Sequence, residues 1–307
     1  MACDSKKEDT KVIIAFVALC LFWGSTYIAI RIGVNEFPPL LFAGIRFAIA
    51  GLLVLAFARL KGYKFPDKIR DTAKISIVGL FLLLGSNGLL VWAEQWVHSG
   101  VSSLIMATIP LFMAILETIL PGGGNLGYKG WIGLLMGFGG VAVLVLPDRG
   151  ANGIDIRGGI TLLLAAFLWA AGSIYSKTFK PSGSIFGAIG IQMAAGGLGL
   201  CIAGSLLGEI PMIRVTLKGI GAMIYLILFG SILGYSCFIY VMQKWPAARA
   251  STYAYVNPLV AVMLGALVLG EAVNLWVIAA IVIILGGVLL VQLSRNGKPQ
   301  TGTDAEA

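Results

Sequence analysis

The chain has 307 residues, of which 58% are hydrophobic and 12% charged, with a mean hydropathy of +0.93 and a formal net charge of +8. A soluble domain carries about 25% charged residues, so this composition excludes a water-soluble globular protein and makes lipid the solvent for most of the chain. The positive charge does not mark a nucleic-acid binder, because Lys and Arg lie between apolar runs and not in an aromatic-interleaved patch; in a membrane protein they are topology signals.

A bilayer core about 30 Å thick is crossed by about 20 apolar residues in a helix. After a polar N-terminal tail, 1–11, ten such runs follow in order: 12–31, 38–59, 74–96, 100–120, 128–146, 157–177, 184–207, 218–242, 247–269 and 272–293. The first is a full span with no small-residue cleavage site, so it reads as a permanent helix and not a removed signal peptide. The longest polar stretch, RLKGYKFPDKIRDTAK (59–74), joins the second and third runs. Runs three and four are parted only by EQWVHSG (94–100), and eight and nine only by QKWPAAR (243–249). Each of these carries polar groups and a helix breaker and reads as a hairpin turn. A second polar tail, 294–307, ends the chain.

Lys and Arg in alternate loops sum to 16 on one side and five on the other. The positive-inside rule then places both termini in the cytoplasm of a multi-pass protein of the cell (inner) membrane. Cys3, Cys20, Cys201 and Cys237 are far apart and lack CxxC spacing, so they point neither to a disulfide framework nor to a metal site.

The runs form two matching sets. LFWGSTYIAIR (21–31) aligns with FLWAAGSIYSK (167–177) and GIRFAIAG (44–51) with GIQMAAGG (190–197), both at an offset of 146. QWVHSGVSSLIMATIPL (95–111) aligns with QKWPAARASTYAYVNPL (243–259), pairing Pro110 with Pro258, and GGVAVLVL (139–146) with GGVLLVQL (286–293). The expected organisation is a five-helix repeat over 12–146, a linker over 147–156 and a second five-helix repeat over 157–293. Five is odd, so the second half enters the membrane from the opposite side, and the repeats are inverted. This all-α plan recurs in secondary transporters that hold solute near the membrane midplane between the repeats.

Polar and aromatic groups deep in such spans are candidate site residues, because an unpaired polar group in lipid is costly. Trp23 and Tyr27 share a helix face, four residues apart. Trp169 is the repeat partner of Trp23, with Tyr175 close behind it. Asn87 lies within the third run, and Tyr253 and Asn257 share a face of the ninth. Arg46 lies about 12 Å below the outer end of its helix, at 1.5 Å per residue, too deep to snorkel outward. It pairs by repeat with the uncharged Gln192. Arg46 is expected to meet an anionic solute group, or Glu94, which lies at a similar depth. Pro110 and Pro258 are expected hinges, since proline inside a helix frees a backbone carbonyl.

The segments WGSTYIAIRIGV (23–34), PPLLFAGIRFAIAG (38–51), GVSSLIMATIPLF (100–112), STYAYVNPLVAVMLG (251–265) and LGE (269–271) resemble the EamA family of the drug/metabolite transporter superfamily, in particular its YedA-type exporter branch. The resemblance covers essentially the whole chain. It implies a ten-helix inverted-repeat fold that exports small metabolites, amino acids or related amphipathic compounds by alternating access. A passive facilitator and a multidrug exporter use the same scaffold. One departure is plain: the second half has LGEAVN (269–274) where the first has LPGGGNLG (120–127), without a glutamate.

A membrane-embedded enzyme is the rival reading. It is disfavoured by a single histidine and by the lack of HExxH or GxSxG motifs. The P-loop pattern is missing too, so direct ATP drive is not expected. The expected partners are a small-molecule solute, the lipid bilayer and protons as a candidate coupling ion, with no cofactor and no nucleic acid; a monomer and a homodimer both fit.

Overall fold

A backbone in lipid has to satisfy its own polar groups, and a helix does so within one segment. The computed structural model describes residues 2–119, 127–145, 155–245 and 253–296, and among these it is helical with no strand. In chain order the helices are α1 (Ala2–Glu36), α2 (Pro39–Leu60), α3 (Ile69–Gly79), α4 (Gly88–Ala93), α5 (Ser99–Met106), α6 (Ile109–Ile119), α7 (Tyr128–Val145), α8 (Ile156–Ser176), α9 (Ile185–Leu206), α10 (Leu217–Tyr225), α11 (Ser236–Lys244), α12 (Tyr253–Leu269) and α13 (Leu275–Asn296). A π-helical segment, Leu80–Asn87, fuses α3 to α4, and another, Leu226–Tyr235, fuses α10 to α11. Among the described residues eight helical stretches are long and apolar enough to cross a membrane, and Tyr253–Leu269 is a shorter apolar helix.

Local chemistry sets the boundaries. α1 runs five residues past Arg31 and stops where Phe37-Pro38-Pro39 begins, since a residue before proline is pushed out of the helical region. Pro39 is then the first residue of α2, where its missing N–H is no loss. α3 starts at Ile69, five residues earlier than the apolar run suggests. The reason is tertiary: Asp71, in its first turn, accepts from the N–H and hydroxyl of Ser182 (3.2 and 2.9 Å), so a polar turn is held helical outside the apolar stretch. The fourth run, read as one span over 100–120, is broken at Ala107–Thr108 into α5 and α6. The 120–126 segment, the 147–154 part of the linker and the 246–252 turn lie outside the described residues.

The contacts between the two halves come in exchanged pairs. α1 packs on α12 and α8 on α5 and α6; α1 packs on the α10–α11 stretch and α8 on the α3–α4 stretch; α2 runs along α9, and α7 along α13. The α2–α9 seam shows this atom by atom. A Cβ on Gly51 would lie 2.7 Å from the Ala194 nitrogen, and one on Gly197 would lie 2.4 Å from the Ala48 nitrogen. Exchanging the halves at the repeat offset of 146, Gly51 for Gly197 and Ala194 for Ala48, turns one contact into the other. Glycine is required at both positions because the partner backbone occupies the space of a side chain, as in small-residue helix packing in lipid.

Candidate functional site

Both π segments begin at matching places, Leu80 and Leu226, again 146 apart. A π turn is wider than an α turn and is often found at functional sites. Here the two segments face one cavity. Ser86 and Asn87 enter it from the first, and Gly230 and Tyr235 from the second.

Arg46, only 3% exposed, ties the two segments together. Its Nε donates to Ser231 Oγ (3.2 Å) and its Nη2 to Asn87 Oδ1 (3.4 Å). The guanidinium lies 4.0 Å over the ring of Phe47, a cation–π contact. Its third nitrogen, Nη1, is buried with no partner, as is Ser86 Oγ. The expected meeting of Arg46 with Glu94 is not a bond in this state: Arg46 is engaged with Ser231 and Asn87, and neither oxygen of the Glu94 carboxylate is hydrogen-bonded.

Another part of the lining is aromatic. The repeat-matched Trp23 and Trp169 meet edge to face with ring centroids 5.5 Å apart. Tyr253 stands edge-on to Trp23 at 5.3 Å, and Phe238 packs against Trp23, Trp169 and Tyr253. The Trp23 indole N–H donates to the Gly230 carbonyl (3.1 Å) in the second π segment, which fixes the ring on the cavity wall. With its amide assigned so that the nitrogen faces two carbonyls, the orientation that satisfies both, Asn257 donates to Cys20 O (3.1 Å) on α1 and Tyr253 O (3.2 Å).

Trp23, Tyr27, Arg46, Asn87, Trp169, Tyr253 and Asn257 thus line one cavity together. Tyr175 and Gln192 do not. Tyr175 lies six residues past Trp169, which turns it to another face of α8, where it packs on Phe179 at 5.5 Å. Gln192 stands one layer behind the wall, where Tyr235 donates to its Oε1 (2.6 Å). Tyr235, Phe238, Phe47, Thr26 and Ser231 were not singled out from the sequence. The signal for Tyr235 was weak, because its match at the offset of 146 is Leu89; Phe238 matches Trp92, a pairing that could have drawn attention to it. The two prolines behave differently: Pro258 lies inside the continuous α12, while Pro110 is the second residue of α6, just past the break at Ala107–Thr108.

The arrangement offers one unpartnered cationic donor, amide and hydroxyl groups beside it, and a broad aromatic surface in the same lining. That combination suits a solute with an acceptor or anionic group at one end and an apolar or aromatic body at the other. Among the described residues no group of three or more His, Cys, Asp or Glu is placed to hold a metal ion.

Comparison with known proteins gives a consistent picture. The model of the EamA-like transporter family matches twice, over residues 10–146 and 156–293. The chain is 38% identical over 283 residues to the uncharacterized inner membrane transporter YedA of Escherichia coli (strain K12), covering 92% of this chain and 90% of that protein. It is 27% identical over 293 residues to the uncharacterized transporter YvbV of Bacillus subtilis (strain 168), covering 95% and 94%. A solved crystal structure at 19% identity superposes with a TM-score of 0.67 over 94% of this chain and 99% of its own, a likeness of fold alone.

Proposed function

The chain belongs to the EamA-like transporter family and is a multi-pass inner-membrane transporter of the YedA type; from that premise we propose that it exports small amphipathic metabolites, amino acids or related aromatic compounds, by alternating access. Its ten spans form two inverted halves, 12–146 and 157–293, with both termini in the cytoplasm. The halves rock against each other along the glycine seam, with the bends at Pro110 and Pro258 as hinges. Trp23, Tyr27, Arg46, Asn87, Trp169, Tyr253 and Asn257 form the solute site. Gln192, behind the wall, sets the position of Tyr235.

One observation carries this reading: a single cavity draws its walls from both halves, with Arg46, whose Nη1 has no hydrogen-bond partner, and the Trp23–Trp169 pair both in its lining. Arg46 takes the anionic group of the solute and the indoles take its apolar body. The test is efflux profiling: cells overexpressing the protein are challenged with a panel of amino acids and their toxic analogues, aromatic carboxylates and cationic drugs. Accumulation is expected to fall for aromatic solutes that carry a carboxylate. Unchanged accumulation across the panel would sink the proposal, and selective loss of the cationic drugs would reverse the role given to Arg46.

A further inference from the structure

The residue that closes α4 is a glutamate with nothing to bind it. Glu94 is 0% exposed, and neither oxygen of its carboxyl group has a hydrogen-bond partner. The buried Tyr27 phenol of α1 lies within its field, and three charged groups act on it: Arg31 from α1, Arg46 from α2 and Glu271 from the turn between α12 and α13. Each is engaged elsewhere. Arg31 donates to the main-chain carbonyl of Glu94, Arg46 to Ser231 and Asn87, and Glu271 accepts from Ser99 and Gly100 at the start of α5. α8 also packs on α4 but, among the described residues, adds no charged group acting on Glu94. His98, in the turn that follows, is exposed.

The position ties the group to the cavity. Leu90, one helical turn before Glu94, lines the cavity wall, and so does Arg46. A carboxylate buried without a donor is among the most costly groups a fold can hold, and a charged residue inside a membrane protein marks a solute or proton pathway by default. The space around the two oxygens is closed by protein, so the occupant that fits is the smallest one. A proton neutralises the group without needing room or a new contact.

We propose that Glu94 is a proton-binding site, loaded from one side of the membrane and emptied to the other as the cavity changes its exposure. The proposal rests on the alternating-access reading above, and it makes that cycle proton-coupled. Arg31 holds the main chain of the glutamate in place. Arg46 links the site to the cavity, because a solute anion on its Nη1 changes the field at the carboxyl group four residues past Leu90.

The first test needs no solute. Infrared spectra of the full chain in detergent are recorded across a pH titration, reading the C=O stretch of protonated carboxyl groups. A protonated-carboxyl band is expected in the native protein, lost in Glu94→Gln, shifted in Glu94→Asp and unchanged in Glu271→Gln. A band that survives Glu94→Gln overturns the proposal. If Glu94→Gln does not fold, an unshifted band in Glu94→Asp does the same. The second test uses liposomes loaded with pyranine and an L-phenylalanine gradient. Phenylalanine flux with a matching pH change in the native protein, and flux without it in Glu94→Gln, supports the site. Phenylalanine flux with silent dye in the native protein overturns proton coupling and leaves the exporter reading standing. A Glu94 band without phenylalanine flux upholds the site and removes this amino acid from the proposed solutes.

Discussion

The two halves solve one structural problem with different chemistry. In each, a long helix ends close to the start of a helix from the other half, whose first N–H groups lack partners. In the second half both such ends read Leu-Gly-Glu. Gly208 and Gly270 take positive φ (76° and 65°), a conformation that favours glycine, and the next residue turns its carboxylate onto the other half. Glu209 accepts from the Leu40 and Leu41 N–H groups (3.2 and 2.8 Å) at the start of α2. Glu271 accepts from the Ser99 and Gly100 N–H groups (2.9 and 3.2 Å) and the Ser99 hydroxyl at the start of α5. In the first half Gly62 also has positive φ (67°), but Tyr63 follows it. There the junction with α9 rests on Ser184 donating to the Lys64 carbonyl (2.7 Å) and on Ser182 donating to Asp71. Among the described residues, one end of the bundle is thus fastened by anions on helix N-termini, which the helix dipole favours, while at the other the junction of α2 with α9 rests on main-chain bonds and Asp71. The fold is near-symmetric in its packing and asymmetric in what holds its ends.

The largest departure from symmetry inside the membrane is Arg46 against Gln192, and exchanging these residues tests it. Arg46→Gln makes the pair alike. It removes two charge-assisted hydrogen bonds worth about 1.5–3 kcal/mol each and the cation–π contact. We expect efflux of carboxylate-bearing solutes to fall by about 10²-fold or more, with uncharged solutes affected less. Gln192→Arg places a second cation beside Tyr235 with no anion to meet it, a loss of about 3–5 kcal/mol that thermal unfolding in detergent reads directly. Normal efflux by Arg46→Gln would show that the asymmetry is structural only.

The next comparison should show no difference. Gly51→Ala and Gly197→Ala each drive a methyl into the backbone of the opposite helix. Overpacking of this kind costs about 1–3 kcal/mol, and mirrored contacts predict nearly equal losses in melting temperature. A large loss at one site and none at the other would break the two-fold relation between the halves. The end fastenings follow. Glu271 is bound by two N–H groups and a hydroxyl, Glu209 by two N–H groups alone. Replacing an N-terminal cap by alanine costs about 0.5–2 kcal/mol, with Glu271→Ala toward the upper figure and Glu209→Ala toward the lower. Equal melting shifts would show that the Ser99 hydroxyl contributes nothing.

Much of this was legible in the sequence because lipid leaves so few choices. Apolar length gave the eight long helical stretches found among the described residues, and constant offsets gave a repeat matched twice by one family model, down to the Gly51 and Gly197 positions that are mirrored contacts. Seven of the nine proposed site residues meet in one cavity, since polar groups in a membrane helix have few other places to go. What stayed hidden depends on backbone geometry and on contacts between distant segments. Neither π segment carries a proline, and their glycines, Gly85, Gly230 and Gly234, do not stand out in a chain with 41 glycines. Leu-Gly-Glu at 207–209 looks like any loop until Leu40 and Leu41 are seen against its carboxylate. Tyr175 was misplaced because closeness to Trp169 in sequence is not closeness on a helix face: six residues turn the side chain well away.

Effects of about 1 kcal/mol or less are expected at the prolines, and they decide what the two bends do. Pro258 lies within α12, where its missing N–H leaves the Ala254 carbonyl without a helical partner. Pro110 is the second residue of α6, a position whose N–H has no helical partner in any case. Just before it the chain has already turned, with the Thr108 N–H donating to the Ile105 carbonyl (3.0 Å) and its hydroxyl to the same oxygen (2.6 Å). Pro258→Ala restores a hydrogen bond and should stabilise the protein by about 1 kcal/mol. Pro110→Ala loosens the unfolded chain and should destabilise it by about 0.5 kcal/mol. If Pro258 is a hinge, its stabilised alanine variant transports more slowly than the native protein. If the break at Ala107–Thr108 is the hinge of the first half, Pro110→Ala transports at the native rate, because the bend does not depend on the proline. Native rates from both variants would remove Pro258 from the mechanism and leave the two fourth helices alike in sequence and different only in shape.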